Sequence, residues 1–194
     1  MGGLHMSEVM QAYNTGVLSP EVHGRLVANL DCFARRANIM EQMVLHKMSE
    51  FSCTAIEIDY VKKIRRQPAM GNYGLIYTGK ETKPVLTRMM AVAGACLRNF
   101  VEAKVVTLQE LLSDMKEGSP PEATVLLVPN FFVAKSEGGK IADWHIAELL
   151  GLLYARMAAG KQTFLYVSDF QALQKTYGDP IAEHLKNHFK SVAA

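Results

Sequence analysis

Gly74-Leu75-Ile76-Tyr77-Thr78-Gly79, running on into Lys80-Glu81-Thr82-Lys83-Pro84-Val85-Leu86, is the stretch that decides the fold. A short apolar run without polar alternation ends on a glycine and gives way to a helical pattern over 85–100. A strand of that kind is covered on both faces, as strands of a parallel sheet are. The unit recurs downstream. Lys104-Val105-Val106-Thr107 reads as a strand before an amphipathic helix at Leu108–Lys116. Thr124-Val125-Leu126-Leu127-Val128 reads as a buried strand that stops at Pro129, and Gln162 to Val167 as another. Between them, 142–159 is apolar nearly all round, which predicts a sandwiched helix stopped by Gly160; helical material follows from Phe170. Strands alternating with helices in this way predict a three-layer α/β fold with a parallel sheet.

The chain has 194 residues, 49% of them hydrophobic and 21% charged. That is enough to bury a core without disulfides, and it excludes wholesale disorder, a collagen-like repeat and a disulfide scaffold. Lys+Arg 21 against Asp+Glu 19 gives a formal charge of +2, so any basic patch is local and a bulk polycation is excluded. Cys32, Cys53 and Cys96 are odd in number and lack metal-ligand spacing, which favours a reducing compartment. The amino end has no basic region followed by an apolar run, and no apolar stretch approaches the roughly 20 residues that span a bilayer. A soluble cytoplasmic protein with no membrane partner is the expectation.

Before residue 70 the pattern is helical. Ser19-Pro20 is a helix start, and Val22, Leu26, Leu30, Phe33, Ala37, Met40 and Val44 then form one stripe. The stripe predicts a long helix over 19–48, packed on its own domain or offering an oligomerisation seam to a second copy. A shorter helix over 55–66 ends in Lys62-Lys63-Ile64-Arg65-Arg66, the densest basic cluster of the chain. Such a run is either a solvated face or a phosphate-contacting patch for DNA. Gln67 to Asn72 reads as a linker, dividing a helical segment, 1–69, from an α/β core, 70–194.

Ligands of an open parallel sheet sit beyond the carboxyl ends of its strands. There the order of elements resembles the AAA+ ATPases of the bacterial helicase-loader and insertion-sequence helper (IstB-like) group. The resemblance covers roughly 70–190. Gly74 to Gly79 is similar to that group's first strand and phosphate loop, and 105–112 to its second strand and helix. Val125-Leu126-Leu127-Val128-Pro129-Asn130 is similar to the Walker B strand, Lys161 to Asp169 to the sensor strand, and Tyr177 to Leu185 to the element carrying a trans-acting arginine. A P-loop NTPase sheet of AAA+ type is what this implies.

The chemistry does not follow the resemblance. A phosphate loop needs G-x-x-x-x-G-K-[ST], with glycines to turn backbone N–H groups on the phosphates, a lysine and a magnesium-binding hydroxyl. Here Gly79 keeps the first position, but Pro84 replaces the second glycine, Val85 the lysine and Leu86 the hydroxyl. Lys80 and Lys83 remain as cations, while Glu81 adds negative charge. Asn130 stands where acidic residues hold the metal, Asp169 replaces a neutral sensor and His184 the arginine. Four losses predict no ATP hydrolysis, no cofactor and no catalytic residue.

The resemblance then implies a non-hydrolysing relative acting in DNA replication or mobile-element maintenance. Its partners would be a replicative helicase, an active helicase loader, DNA or a second copy. Two other readings stay open: an α/β enzyme or binding protein that gathers Lys80, Lys83, Asn130, Ser168 and Asp169 around a non-nucleotide ligand, or a structural assembly subunit. His184 and His188 share a helix face but have no third ligand near them, so surface histidines are expected rather than a metal site. Trp144-His145 is expected to pack, and Cys96 to be an inert buried thiol.

Overall fold

The computed structural model describes residues 6–80, 82–134 and 141–194. Five strands, β1 (Gly74–Thr78), β2 (Ala103–Val105), β3 (Val125–Phe132), β4 (Gln162–Val167) and β5 (Phe189–Ala193), form one sheet in the order β2-β3-β4-β1-β5. All pairs are parallel: Ile76 sits opposite Leu165 on one side and Ser191 on the other, and Leu127 opposite Phe164. All carboxyl ends therefore lie along one edge, at Thr78, Phe132, Val167 and Ala193.

The helices are α1 (Met6–Asn14), α2 (Pro20–Ala28), α3 (Leu30–Ala37), α4 (Gln42–Leu45), α5 (Ala55–Lys62), α6 (Thr82–Arg98), α7 (Leu108–Lys116), α8 (Asp143–Ala158), α9 (Phe170–Tyr177) and α10 (Asp179–His188). Side-chain alternation along the strands sorts the core into two layers. Leu75, Tyr77, Leu127, Phe164 and Tyr166 face α6 and the segment around α4 and α5, meeting Met43, Met89, Val92 and Cys96. Ile76, Leu126, Val128, Leu165 and Val167 face the other way, onto Leu111, Leu149, Leu153, Leu173 and Leu185. Each such side chain contributes about 1.5–3 kcal/mol when fully buried.

Several sequence expectations change here. The stripe over 19–48 is not one helix: α2 and α3 are separated at Asn29, and Asn38 leaves α3 in the left-handed region (φ 60°) before α4. Leu26, Leu30, Ala37 and Val44 of the stripe are buried with Leu97 of α6, while Val22 and Met40 are exposed. Gln67–Asn72 is a packed corner rather than a loose linker, since buried Gln67 donates to the Tyr60 carbonyl and accepts from Asn72 Nδ2. β3 does not stop at Pro129 but continues to Phe132 through a register shift, the one kind of place where a residue without an N–H is tolerated in a sheet. α8 is not sandwiched, because Trp144, Ala147, Gly151, Tyr154 and Ala155 are exposed. β5 was read as helix.

Candidate functional site

At the carboxyl end of β1 only three residues precede α6, which begins at Thr82. Where a phosphate loop would present successive N–H groups, the first helical turn has already started. Pro84 is the third helical residue, where its missing N–H breaks no bond. Val85 is fully buried on the inner face of α6, and Leu86 lies on its outer face. Lys80 is exposed; Glu81 and the side chain of Lys83 lie outside the described residues.

Gly79 has φ 152°, and a Cβ there would come within 2.8 Å of the Ala194 methyl. Ala194 is held by its N–H donating to the Thr78 carbonyl at 2.8 Å, and the Tyr166 hydroxyl donates to the Gly79 carbonyl at 2.7 Å. The glycine is therefore required by close approach within the chain, whatever else once required it.

The other crevice positions are also occupied internally. Asn130 accepts from the Leu108 N–H at 2.7 Å through Oδ1 and donates to Gln109 Oε1 at 2.8 Å, capping α7. Asp169 is the N-cap of α9, accepting from the Ala172 N–H at 2.9 Å. Ser168 Oγ accepts from the Ala134 N–H. Three cavities of about 510, 570 and 310 Å³ open on the described surface, and none of the three is lined by these residues.

His184 departs from the expectation of a surface histidine. It is 4% exposed on α10, edge-on to Tyr154 of α8 at 4.7 Å and beside His188 and Phe189. Neither ring nitrogen has a partner among the described residues. Burial, and then the His188 charge, push its pKa down from 6.5 to about 4. The unfolded chain takes up a proton near pH 6.5 and the folded chain only near pH 4, so stability is complete above that window and falls as pH drops through it. We expect a Tm loss between pH 7 and pH 4.5 that His184→Leu reduces by about 5 °C. A wild-type-minus-variant difference that is flat with pH contradicts this assignment.

A buried polar cluster beneath the crevice has no counterpart in the sequence reading. Glu57 of α5 and Arg88 of α6 are 0% and 4% exposed, and form a bidentate pair at 3.1 and 2.8 Å. Arg88 Nη1 also donates to the Ala193 carbonyl, and its guanidinium lies 5.3 Å from the centre of the Tyr77 ring. Burial, and then the Glu57 charge, push the Tyr77 phenol well above its usual range. Thr54-x-x-Glu57 is a capping box visible in the sequence, and it was the one available signal.

Lys62, Lys63, Arg65 and Arg66 are all exposed. Lys63 pairs with Asp59 at 2.8 Å, and Arg65 donates to the Asn99 and Phe100 carbonyls at 3.0 and 3.3 Å. The Tyr60 hydroxyl donates to Gln162, the first residue of β4, which puts this end of α5 at the amino ends of the strands. The basic cluster and the crevice beyond β1 thus lie at opposite ends of the sheet. Among the described residues no helix is long and apolar enough to cross a membrane, and no cluster of three or more His, Cys, Asp or Glu forms a metal site. The Cys96 thiol is buried, and burial pushes its pKa up to about 12.

Strand order and parallel register define an α/β fold with a five-stranded parallel sheet, AAA+-like in its strand order. No family model and no curated protein sequence matches the chain. Solved structures do. A DNA replication initiation factor aligns at 12% identity and a TM-score of 0.57, over 76% of this chain and 48% of its own. The replication initiator DnaA bound to AMPPCP and single-stranded DNA aligns at 12% identity and 0.55, over 75% and 49%. Domain III of DnaA from Thermotoga maritima aligns at 15% and 0.50, over 75% and 66%. The chain spans about half the length of the first two.

Proposed function

We propose that this chain is a non-hydrolysing AAA+-type protein, a degenerate relative of the helicase loaders, that acts in the cytoplasm by binding DNA and replication proteins. Its setting is DNA replication or the maintenance of a mobile element, and its protein partners are a replicative helicase or an active loader. One observation carries the reading: the crevice positions are spent on the chain's own structure, with Gly79 under Tyr166 and Ala194, Asn130 on α7 and Asp169 on α9. Lys62, Lys63, Arg65 and Arg66 are exposed together at the other end. One structural neighbour carries both a nucleotide analogue and single-stranded DNA. The 1–69 and 70–194 segments act together on this reading, which the Glu57–Arg88 pair between α5 and α6 supports.

Fluorescence anisotropy with labelled DNA tests the binding. Arg65 also holds the end of α6, so the cleaner variant is Lys62→Ala/Lys63→Ala/Arg66→Ala. Three phosphate contacts to a single strand give a log–log salt slope of about −2, or about a twentyfold loss of affinity from about 50 to 200 mM salt. The triple variant should flatten that slope. Affinity indifferent to salt, or unchanged in the variant, overturns DNA binding by this cluster.

A further inference from the structure

We infer that the cavity at the amino ends of β3 and β4 receives a base of single-stranded nucleic acid, stacked on Phe100 beside Arg65. The inference rests on the DNA-binding half of the reading above and gives it a site. The cavity, about 310 Å³, is lined by Ile64, Arg65, Phe100, Thr124, Gly160 and Gln162. That volume is at the small end of ligand pockets.

Three observations converge on it. First, the cavity presents an aromatic ring, Phe100, beside apolar Ile64 and Val101, a wall that suits the face of a base. Second, Phe100 follows α6 with φ 55°, a backbone conformation that favours glycine at the end of a helix. Its side chain is 58% exposed, so neither backbone preference nor core packing accounts for a phenylalanine there. One ring face is stacked on His23 at 5.7 Å and 14°, which holds the ring and leaves its other face to a planar partner.

Third, the charge has one sign. None of the lining residues is acidic, and Arg65 stands at the wall. Buried Arg156 donates to the Thr124 and Gln162 carbonyls and has no carboxylate partner among the described residues. Asp59, Glu102 and Glu122, the acids nearby in sequence, are paired with Lys63, Arg36 and Lys161. Lys62 and Arg66 extend the cationic surface. An aromatic face inside a basic patch is the arrangement that takes unstacked bases, whereas a duplex keeps its bases stacked.

The test is anisotropy with an oligo(dT) of about 20 nucleotides, a duplex of equal length and free dTMP as competitor. Phe100→Gly removes the ring and suits the backbone, so it should melt within a few degrees of wild type. It should weaken oligo(dT) binding about tenfold or more, with Phe100→Trp within about threefold of wild type. The duplex and dTMP should bind far more weakly than the oligonucleotide. If oligo(dT) binding is salt-dependent and lost in the Lys62/Lys63/Arg66 triple variant but untouched by Phe100→Gly, the stacking site is wrong and the DNA-binding reading stands. Equal affinity for duplex, or dTMP binding as tightly as the strand, likewise removes the inference. If no oligonucleotide binds the wild type, the DNA-binding reading itself falls, and this site with it.

Discussion

Glu57→Gln should cost about 3–5 kcal/mol of folding stability, the largest single loss expected in this chain. The carboxylate is fully buried and does three things at once. It pairs with Arg88 Nε and Nη2, accepts the Thr54 N–H at 2.6 Å and accepts the Thr54 hydroxyl at 2.9 Å. The amide keeps the shape but leaves the Arg88 charge without a counter-charge in a site that water does not reach. Attraction within such a pair roughly offsets the desolvation of both ions, so removing one partner costs far more than the pair contributes. Glu57→Leu with Arg88→Met should therefore recover most of the loss. Urea unfolding midpoints at constant m-value measure both. A loss under about 1 kcal/mol for Glu57→Gln would mean that the pair does not fasten α5 to α6.

Arg156→Leu should follow, at about 3–4 kcal/mol. Arg156 of α8 donates to Thr163 Oγ1 at 2.9 Å and to the carbonyls of Pro121, Ala123 and Gln162 at 3.2, 3.1 and 2.7 Å. Burial pushes its pKa down to about 10, still well above neutrality, so it stays charged at pH 7. It ties the loop before β3 to the start of β4. Leucine fills part of the volume and leaves these acceptors unpaired. Arg156→Lys should recover little, since one ammonium cannot span a fan of acceptors laid out for a planar guanidinium. Full recovery by lysine would show that charge rather than the fork is what the site needs.

What the sequence disclosed depended on how local the physics was. β1 and β4 were legible because apolar runs have few alternatives, and α7 because 108–116 is amphipathic; the structure adds a capping box at Thr107 and Glu110. β5 was not legible. Phe189-Lys190-Ser191-Val192-Ala193 is an edge strand with only Val192 deeply buried, and its main-chain pairing with β1 makes it a strand. Periodicity joined α2, α3 and α4 because apolar spacing does not register a left-handed Asn38. α8 was read as sandwiched because Ala147, Gly151 and Ala155 count as apolar whether or not anything covers them.

At the crevice, the residue types were read from position alone. That Pro84, Val85 and Leu86 cannot do phosphate chemistry was visible in the sequence. That Asn130 and Asp169 serve α7 and α9, and that Gly79 makes room for Ala194, needed contacts between distant residues. The Glu57–Arg88 pair and buried His184 belong to the same class: partners far apart in sequence, with no motif to announce them.

On the function proposed above, the crevice beyond β1, where Tyr166 and Ala194 close on Gly79, takes no triphosphate. Isothermal titration of Mg-ATP into the wild-type protein is the decisive measurement. The expected trace shows only heats of dilution at millimolar nucleotide. A saturable one-to-one isotherm, which Tyr166 and Ala194 in their present places would not permit, would contradict the claim.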